Sequence, residues 1–234
     1  MIAEQYRAIQ VAIAGRAQLV AVSKGQPFSA ISALYALGQR DFGENYAQEL
    51  SVKAEQAREA GLTGVRWHFL GHLQRNKAKV VATQAWAIHS LDSFALAQSL
   101  DRYRGELGGG GGDGGGAIEA FIEINIDREP QKAGLPPDTG PVAELVRQAS
   151  ALKHLRIAGL MCVPAAASSD TRVAFRALAA LRDRVAGATG QSMGMSMGMS
   201  GDYVTAIECG ATHVRVGTAL FGPRPAKLSG SENL

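Results

Sequence analysis

Leu19-Val20-Ala21-Val22-Ser23-Lys24, followed by Gly25-Gln26-Pro27, is an apolar run that ends in a cation and then a turn. Branched apolar residues without polar alternation read as a strand covered on both faces, the habit of parallel sheets. Glycine and proline then break the strand. The next segment, Ser29–Leu37, sets Ile31, Leu34, Tyr35 and Leu37 at three- and four-residue offsets, which predicts a helix.

Working outward, the same strand–helix unit recurs. Strand-like runs lie at Leu19–Ser23, Asp41–Gly43, Trp67–Gly71, Ala85–Leu91, Ile118–Ile126, Ile157–Val163, Met195–Ser200 and Thr212–Phe221. Helical spacing fills Tyr46–Ala60, Leu73–Gln84, Phe94–Leu107, Val142–Leu152, Arg172–Ala186 and Tyr203–Cys209. Such alternation predicts an α/β fold with a parallel sheet. Eight units suggest a closed (β/α)8 TIM barrel as a single domain over residues 1–234, with an open doubly wound sheet as the alternative. Gly38, Gly61, Gly187 and Gly210 stand where helices should stop, and Asp92-Ser93 and Ser169-Asp170 where helices should start. A first helix, Ile2–Ala14, precedes the first strand, and no long helix follows the last. It is expected to cover the seam where the barrel closes.

Composition narrows the function classes. The formal charge of +3 over 234 residues is small, and no basic run carries interleaved aromatics, so a nucleic-acid partner is not expected. No run nears the roughly 18 apolar residues of a membrane span. The two cysteines, Cys162 and Cys209, have no metal-like spacing and sit in apolar surroundings, which fits inert thiols in a reduced, cytoplasmic protein. His68 and His72 lie four apart across a strand and turn with no third ligand in place, so no metal is expected. Gly108–Gly116, nearly all glycine, reads as a flexible loop. Ser-Met-Gly-Met occurs twice in tandem over Ser192–Met199, and the copy beside Gly201-Asp202 is expected to keep the functional register.

Three places carry chemistry. Lys24 ends a strand on the C-terminal face, where barrel active sites lie, and a desolvated lysine amine forms Schiff bases. Ser200-Gly201-Asp202 opens a helical stretch, and Gly217-Thr218 follows the last strand-like run. Backbone amides in such loops after strands 7 and 8 hold phosphate in many barrels. An amine facing a phosphate cradle is what pyridoxal 5'-phosphate (PLP) requires, through its aldehyde at one end and its phosphate at the other. Arg215 should point into the barrel end, where a permanent guanidinium keeps a pyridine nitrogen unprotonated. Asn45 is a neighbour for the ring, and Glu44 is expected to pair with a helix cation.

Together these segments resemble the YggS/PROSC-type pyridoxal phosphate homeostasis family. The resemblance rests on Ala21-Val22-Ser23-Lys24, Phe42-Gly43-Glu44-Asn45-Tyr46, Trp67-His68-Phe69-Leu70-Gly71 with Leu73-Gln74 and Asn76-Lys77, Ile124-Asn125-Ile126 with Lys132 and Gly134, Gly159-Leu160-Met161, Met197-Gly198-Met199-Ser200, and Val214-Arg215-Val216-Gly217-Thr218. It implies a fold-type III PLP barrel like the alanine racemase N-terminal domain, without a C-terminal β-domain. It implies PLP as an aldimine on Lys24, phosphate contacts at Ser200, Gly201, Gly217 and Thr218, Arg215 near the ring nitrogen, and Asn45 beside the ring. It also implies a carrier and regulator of PLP with no established reaction, acting as a monomer with PLP and PLP-dependent apo-enzymes as partners. The alternatives are an amino-acid racemase and an aldolase-type Schiff-base enzyme without PLP. Racemisation needs proton transfer on both faces of a substrate, and the chain supplies Lys24 with no second acid/base of the racemase kind.

Overall fold

The structure, a computed structural model, describes residues 1–107, 116–165 and 170–223. Its eight strands are β1 (Gln18–Val22), β2 (Asp41–Glu44), β3 (Arg66–Phe69), β4 (Ala87–Leu91), β5 (Ile118–Glu123), β6 (Leu155–Met161), β7 (Gly194–Ser196) and β8 (His213–Val216). All pairings are parallel and the order β1 to β8 closes on itself. The closed barrel is therefore the fold, and the open-sheet alternative falls away. The closing ladder pairs Gln18 with His213 and Val20 with Arg215.

Nine α-helices are described: α1 (Ile2–Ile13), α2 (Phe28–Ala36), α3 (Ala47–Glu59), α4 (Ala78–Gln84), α5 (Phe94–Glu106), α6 (Thr139–Ala149), α7 (Thr171–Thr189), α8 (Tyr203–Glu208) and α9 (Thr218–Phe221). As expected, α1 lies over the closure, packing against α2, α8, α9 and β1. Its apolar stripe buries Tyr6, Ile9 and Ile13, the three- and four-residue spacing of one helix face.

Several boundaries differ from the sequence reading, each for a local reason. The run Thr212–Phe221 splits into β8 and the short α9, because Gly217 (φ −113, ψ −83) turns the chain. The helix expected over Leu73–Gln84 begins as a 3-10 turn at Arg75–Lys77 before α4. Gly187 does not end α7; the helix runs on to Thr189, and Gly190 takes the left-handed cap at φ 70. Gly38, Gly61 and Gly210 do adopt positive φ. Ser93 caps α5 by accepting from the Leu96 amide, and Asp170 caps α7 by accepting from Arg172. Residues 108–115 of the glycine run and Ser169 lie outside the described residues.

The layer between barrel and helices is alkyl and aromatic, with Ile31, Leu34, Phe42, Leu50, Leu96, Leu100 and Leu178 fully or almost fully buried. The barrel interior is polar by contrast. His68 and His89 lie there within hydrogen-bond distance of each other, Phe121 stacks on His89, and His213 faces Phe121 edge-on. No described helix is long and apolar enough to cross a membrane.

Candidate functional site

Strand β1 carries its inward side chains up to Lys24, just past its end. Gly25 (φ 68) then turns the chain toward Pro27, the N-cap of α2. Here, at the C-terminal ends of the strands, a cavity of about 460 Å³ opens, within the range of small-ligand pockets. Lys24, Asn45, Ser200, Gly201, Arg215, Gly217 and Thr218 all line it. Every residue singled out from the sequence as a binder is thus in one place. Sequence reasoning did not single out Val22, Gln26, Leu70, Val163, Met199 and Gly222 as binders, and they complete the wall. All but the Gln26 amide are apolar or small residues without a chemical signature of their own.

The lysine side is braced by buried charge. Lys53 on α3 donates to the Ser23 carbonyl (2.7 Å), to Glu44 Oε1 (2.8 Å) and to Glu49 Oε1 (2.7 Å). Ser23 Oγ donates to Glu44 Oε1 at 2.6 Å, and the Gly25 amide donates to Glu49 Oε1 at 2.6 Å. Glu44 thus pairs with a helix cation as expected. The bonds to Ser23 and Gly25 fix the backbone on both sides of Lys24. Burial pushes the Glu44 carboxyl above its ordinary range, against the pull of Lys53. Asn45 is held by close packing: a Cβ on Gly71 would stand 2.0 Å from the Asn45 carbonyl oxygen. Only glycine lets the loop after β3 approach the loop after β2 so closely.

The opposite side is built from neutral donors. Ser200 Oγ accepts from the amides of Gly217 (3.3 Å) and Ala219 (3.1 Å). The Gly217 amide is therefore directed at Ser200, where the sequence reading had it facing the ligand directly, and Ala219 was not foreseen. Two amides polarise one hydroxyl, whose own hydrogen remains to be donated into the cavity. The helices behind these loops have six and four residues, so amides rather than a long helix dipole supply the field. Met199 is tied by its amide to Asp202 Oδ1 at 2.6 Å. The first Ser-Met-Gly-Met copy runs into β7 and the second leads into this loop, leaving Ser200 and Gly201 on the cavity wall.

Arg215 forms the floor. It is 5% exposed, and burial pushes its pKa down from the ordinary arginine value. Its Nη1 donates to Ser196 Oγ (2.6 Å) and its Nη2 to the Cys162 carbonyl (3.0 Å). No carboxylate pairs with it among the described residues. Burial raises the Cys162 thiol to about 12, which keeps it protonated and inert at neutral pH. His72 does not approach His68; it borders a neighbouring cavity of about 260 Å³ with Tyr46, Gln74 and Lys77. No described cluster of His, Cys, Asp or Glu could hold a metal ion.

The cavity residues suit a ligand with an aldehyde at one end, a ring nitrogen over a guanidinium, and a phosphate at the other end. Comparison with known proteins points the same way. The family model "Alanine racemase, N-terminal domain" matches residues 1–225. The pyridoxal phosphate homeostasis protein of Escherichia coli K12 is 39% identical over 216 residues, covering 88% of this chain and 85% of its own length. That of Schizosaccharomyces pombe is 36% identical over 214 residues, covering 89% and 85%. The structure of PipY from Synechococcus elongatus with PLP bound superposes with a TM-score of 0.83 at 35% identity, covering 95% of this chain and all of that one. An alanine racemase from Clostridium difficile shares the fold at a TM-score of 0.72 and 13% identity, and only 57% of its chain is covered.

Proposed function

We propose that this chain, which belongs to the pyridoxal phosphate homeostasis family within the alanine racemase N-terminal domain fold, holds PLP reversibly in the cavity at the C-terminal end of its barrel. One observation carries the reading: Lys24, Arg215 and the Ser200 loop converge on a single cavity. When bound, PLP supplies an electrophilic aldehyde carbon and an electron-accepting ring.

The residues then divide the work. Lys24 would hold the aldehyde end of the ligand through its side-chain amine, the group that can take a carbonyl carbon and release its oxygen as water. Ser200, with the Gly201 and Thr218 amides beside it, holds the phosphate. Arg215 would face the ring nitrogen as a donor that does not protonate it, since a guanidinium keeps its proton. Asn45 and Leu70, on the same wall, would flank the ring.

Holding rather than turnover fits the lining. Its described residues include no His, Asp, Glu, Tyr or Cys, so none of them offers an ordinary acid/base across from Lys24. We propose further that the protein works in the cytoplasm as a monomer that passes PLP to apo-enzymes.

Titration with PLP followed by borohydride and peptide mapping tests this. The expected result is a visible band that borohydride converts to a stable adduct on Lys24, lost in Lys24→Ala. An adduct that persists on another lysine in that variant, or no binding at all, overturns the reading. Steady interconversion of alanine enantiomers, abolished by Lys24→Ala, would make the protein an enzyme instead.

A further inference from the structure

Below the pocket, an unbroken line of buried side chains crosses the barrel. Arg215 Nη1 is 2.6 Å from Ser196 Oγ, which is 2.7 Å from His89 Nδ1. His89 Nε2 is 2.9 Å from His68 Nδ1, and His68 Nε2 is 2.9 Å from Asp41 Oδ1. Asp41 Oδ2 accepts from Arg66 Nη2 at 2.6 Å at the N-terminal end of the barrel. Each link but Arg66 is buried, with Ser196 and His89 fully so. None of Ser196, His89, His68 or Asp41 lines the cavity.

Proton counting fixes a direction. A guanidinium only donates, so Ser196 Oγ accepts from Arg215. The serine hydrogen then goes to His89 Nδ1, leaving His89 protonated on Nε2. That hydrogen goes to His68 Nδ1, so His68 is protonated on Nε2 and donates to the Asp41 carboxylate. Every group is satisfied with both imidazoles neutral. The reverse direction requires a doubly protonated His68 and strands the Ser196 hydrogen. Cations already flank the line at Arg66 and Arg215, and the third ring, His213, bonds sideways to Thr212 Oγ1 at 2.9 Å.

We propose that this one-way relay, Arg215 to Ser196 to His89 to His68 to Asp41, positions the guanidinium under the ligand, and that His68, His89, Ser196 and Asp41 are positioning residues for Arg215. The far carboxylate orients each donor in turn, and polarised chains of this kind strengthen link by link. The Ser196 bond and the Cys162 carbonyl use two of the guanidinium hydrogens and set the plane of the remainder. Burial first, and then the nearby Arg215 guanidinium, hold His89 well below the usual histidine range, in keeping with a neutral ring. What the guanidinium meets in the pocket rests on the PLP reading; the direction of the relay does not.

The experiment has two arms. In the ligand-free protein, nitrogen NMR of the imidazoles at neutral pH should report both His68 and His89 as neutral rings protonated on Nε2. In the PLP-bound protein, Ser196→Ala should shift the visible band or its pH titration and weaken PLP by roughly threefold to tenfold, with borohydride still trapping Lys24. His68→Gln, remote from the cavity, should move the same signals less, and Ser196→Thr, which keeps the hydroxyl, should restore them. A doubly protonated His68, or a folded Ser196→Ala protein with unchanged band and affinity, overturns the relay. If the wild type binds no PLP, the proposed function falls while the first arm still decides the direction.

Discussion

At the β1–β2 rim of the pocket, the backbone around Lys24 is held by three buried or half-buried charges, Glu44, Glu49 and Lys53. At the β7–β8 rim, Ser200 is held by two amides and no charge. The difference matches what each rim would hold under the proposed function. An amine that attacks a carbon needs a fixed aim, and an ionic bracket with Lys53 at its centre gives little slack. An anion held by neutral donors is bound without a buried counter-charge in that loop, which suits a ligand meant to leave again.

The comparison can be broken most severely at Lys53. Lys53→Ala strands two carboxylates and should cost about 3–5 kcal/mol, read as a large fall in the denaturation midpoint. Pairing Lys53→Met with Glu44→Gln should recover much of that loss, since the penalty lies in the uncompensated charge. At the neutral rim, Gly198→Ala is next. Gly198 has φ 89, and its added Cβ would meet the Ala206 Cβ at 2.5 Å. A loss of about 1–3 kcal/mol and poorer PLP retention should follow, and an unchanged midpoint would mean that the loop relaxes at no cost. Ser200→Ala sharpens the contrast, because it should leave the midpoint within about 1 kcal/mol while weakening PLP up to about tenfold.

The smallest effect is one of pH. Burial lowers the His213 pKa from 6.5 to about 4 and holds His89 well below 6.5. Both rings bind protons more readily unfolded than folded, so stability is full above about pH 6.5 and drains away as pH falls toward 4. Asp41 acts in the same direction at lower pH. Burial would raise its carboxyl, but the hydrogen bonds from His68 and Arg66 and the Arg66 charge outweigh it and hold it below its ordinary range. His213→Gln should flatten the fall of melting temperature between pH 6.5 and 4; an unaltered slope would remove His213 from this account.

Periodicity and loop chemistry made the barrel and the pocket wall legible. Lys24, Ser200 and Gly217 sit at strand ends, where spacing along one chain says where a side chain goes. The barrel interior was not legible in the same way. His68 drew attention beside His72, its near neighbour in sequence, yet its partner is His89, one strand over, and Ser196 lies within a repeat that read as a duplication. Those contacts depend on the stagger between strands, including the irregularity between Ile88 and Leu91, which no single segment reveals. Lys53 was hidden likewise: a lysine on a polar helix face looks solvated until α3 is laid against the Ser23 and Glu44 strand ends. The helix cation for Glu44 was expected, but its identity required that packing.

The ladder between β1 and β8 also sets a schedule. Within the barrel, the strand that presents Lys24 leaves the ribosome first and the strand that seats Arg215 leaves it last. Long-range closure of this kind is slow and entropically demanding. A half-made chain can display the amine but has no floor and no second rim beneath it. A ligand that needs both ends of the site would therefore wait on synthesis of nearly the whole barrel, and whatever binds there afterwards favours the closed ring by mass action.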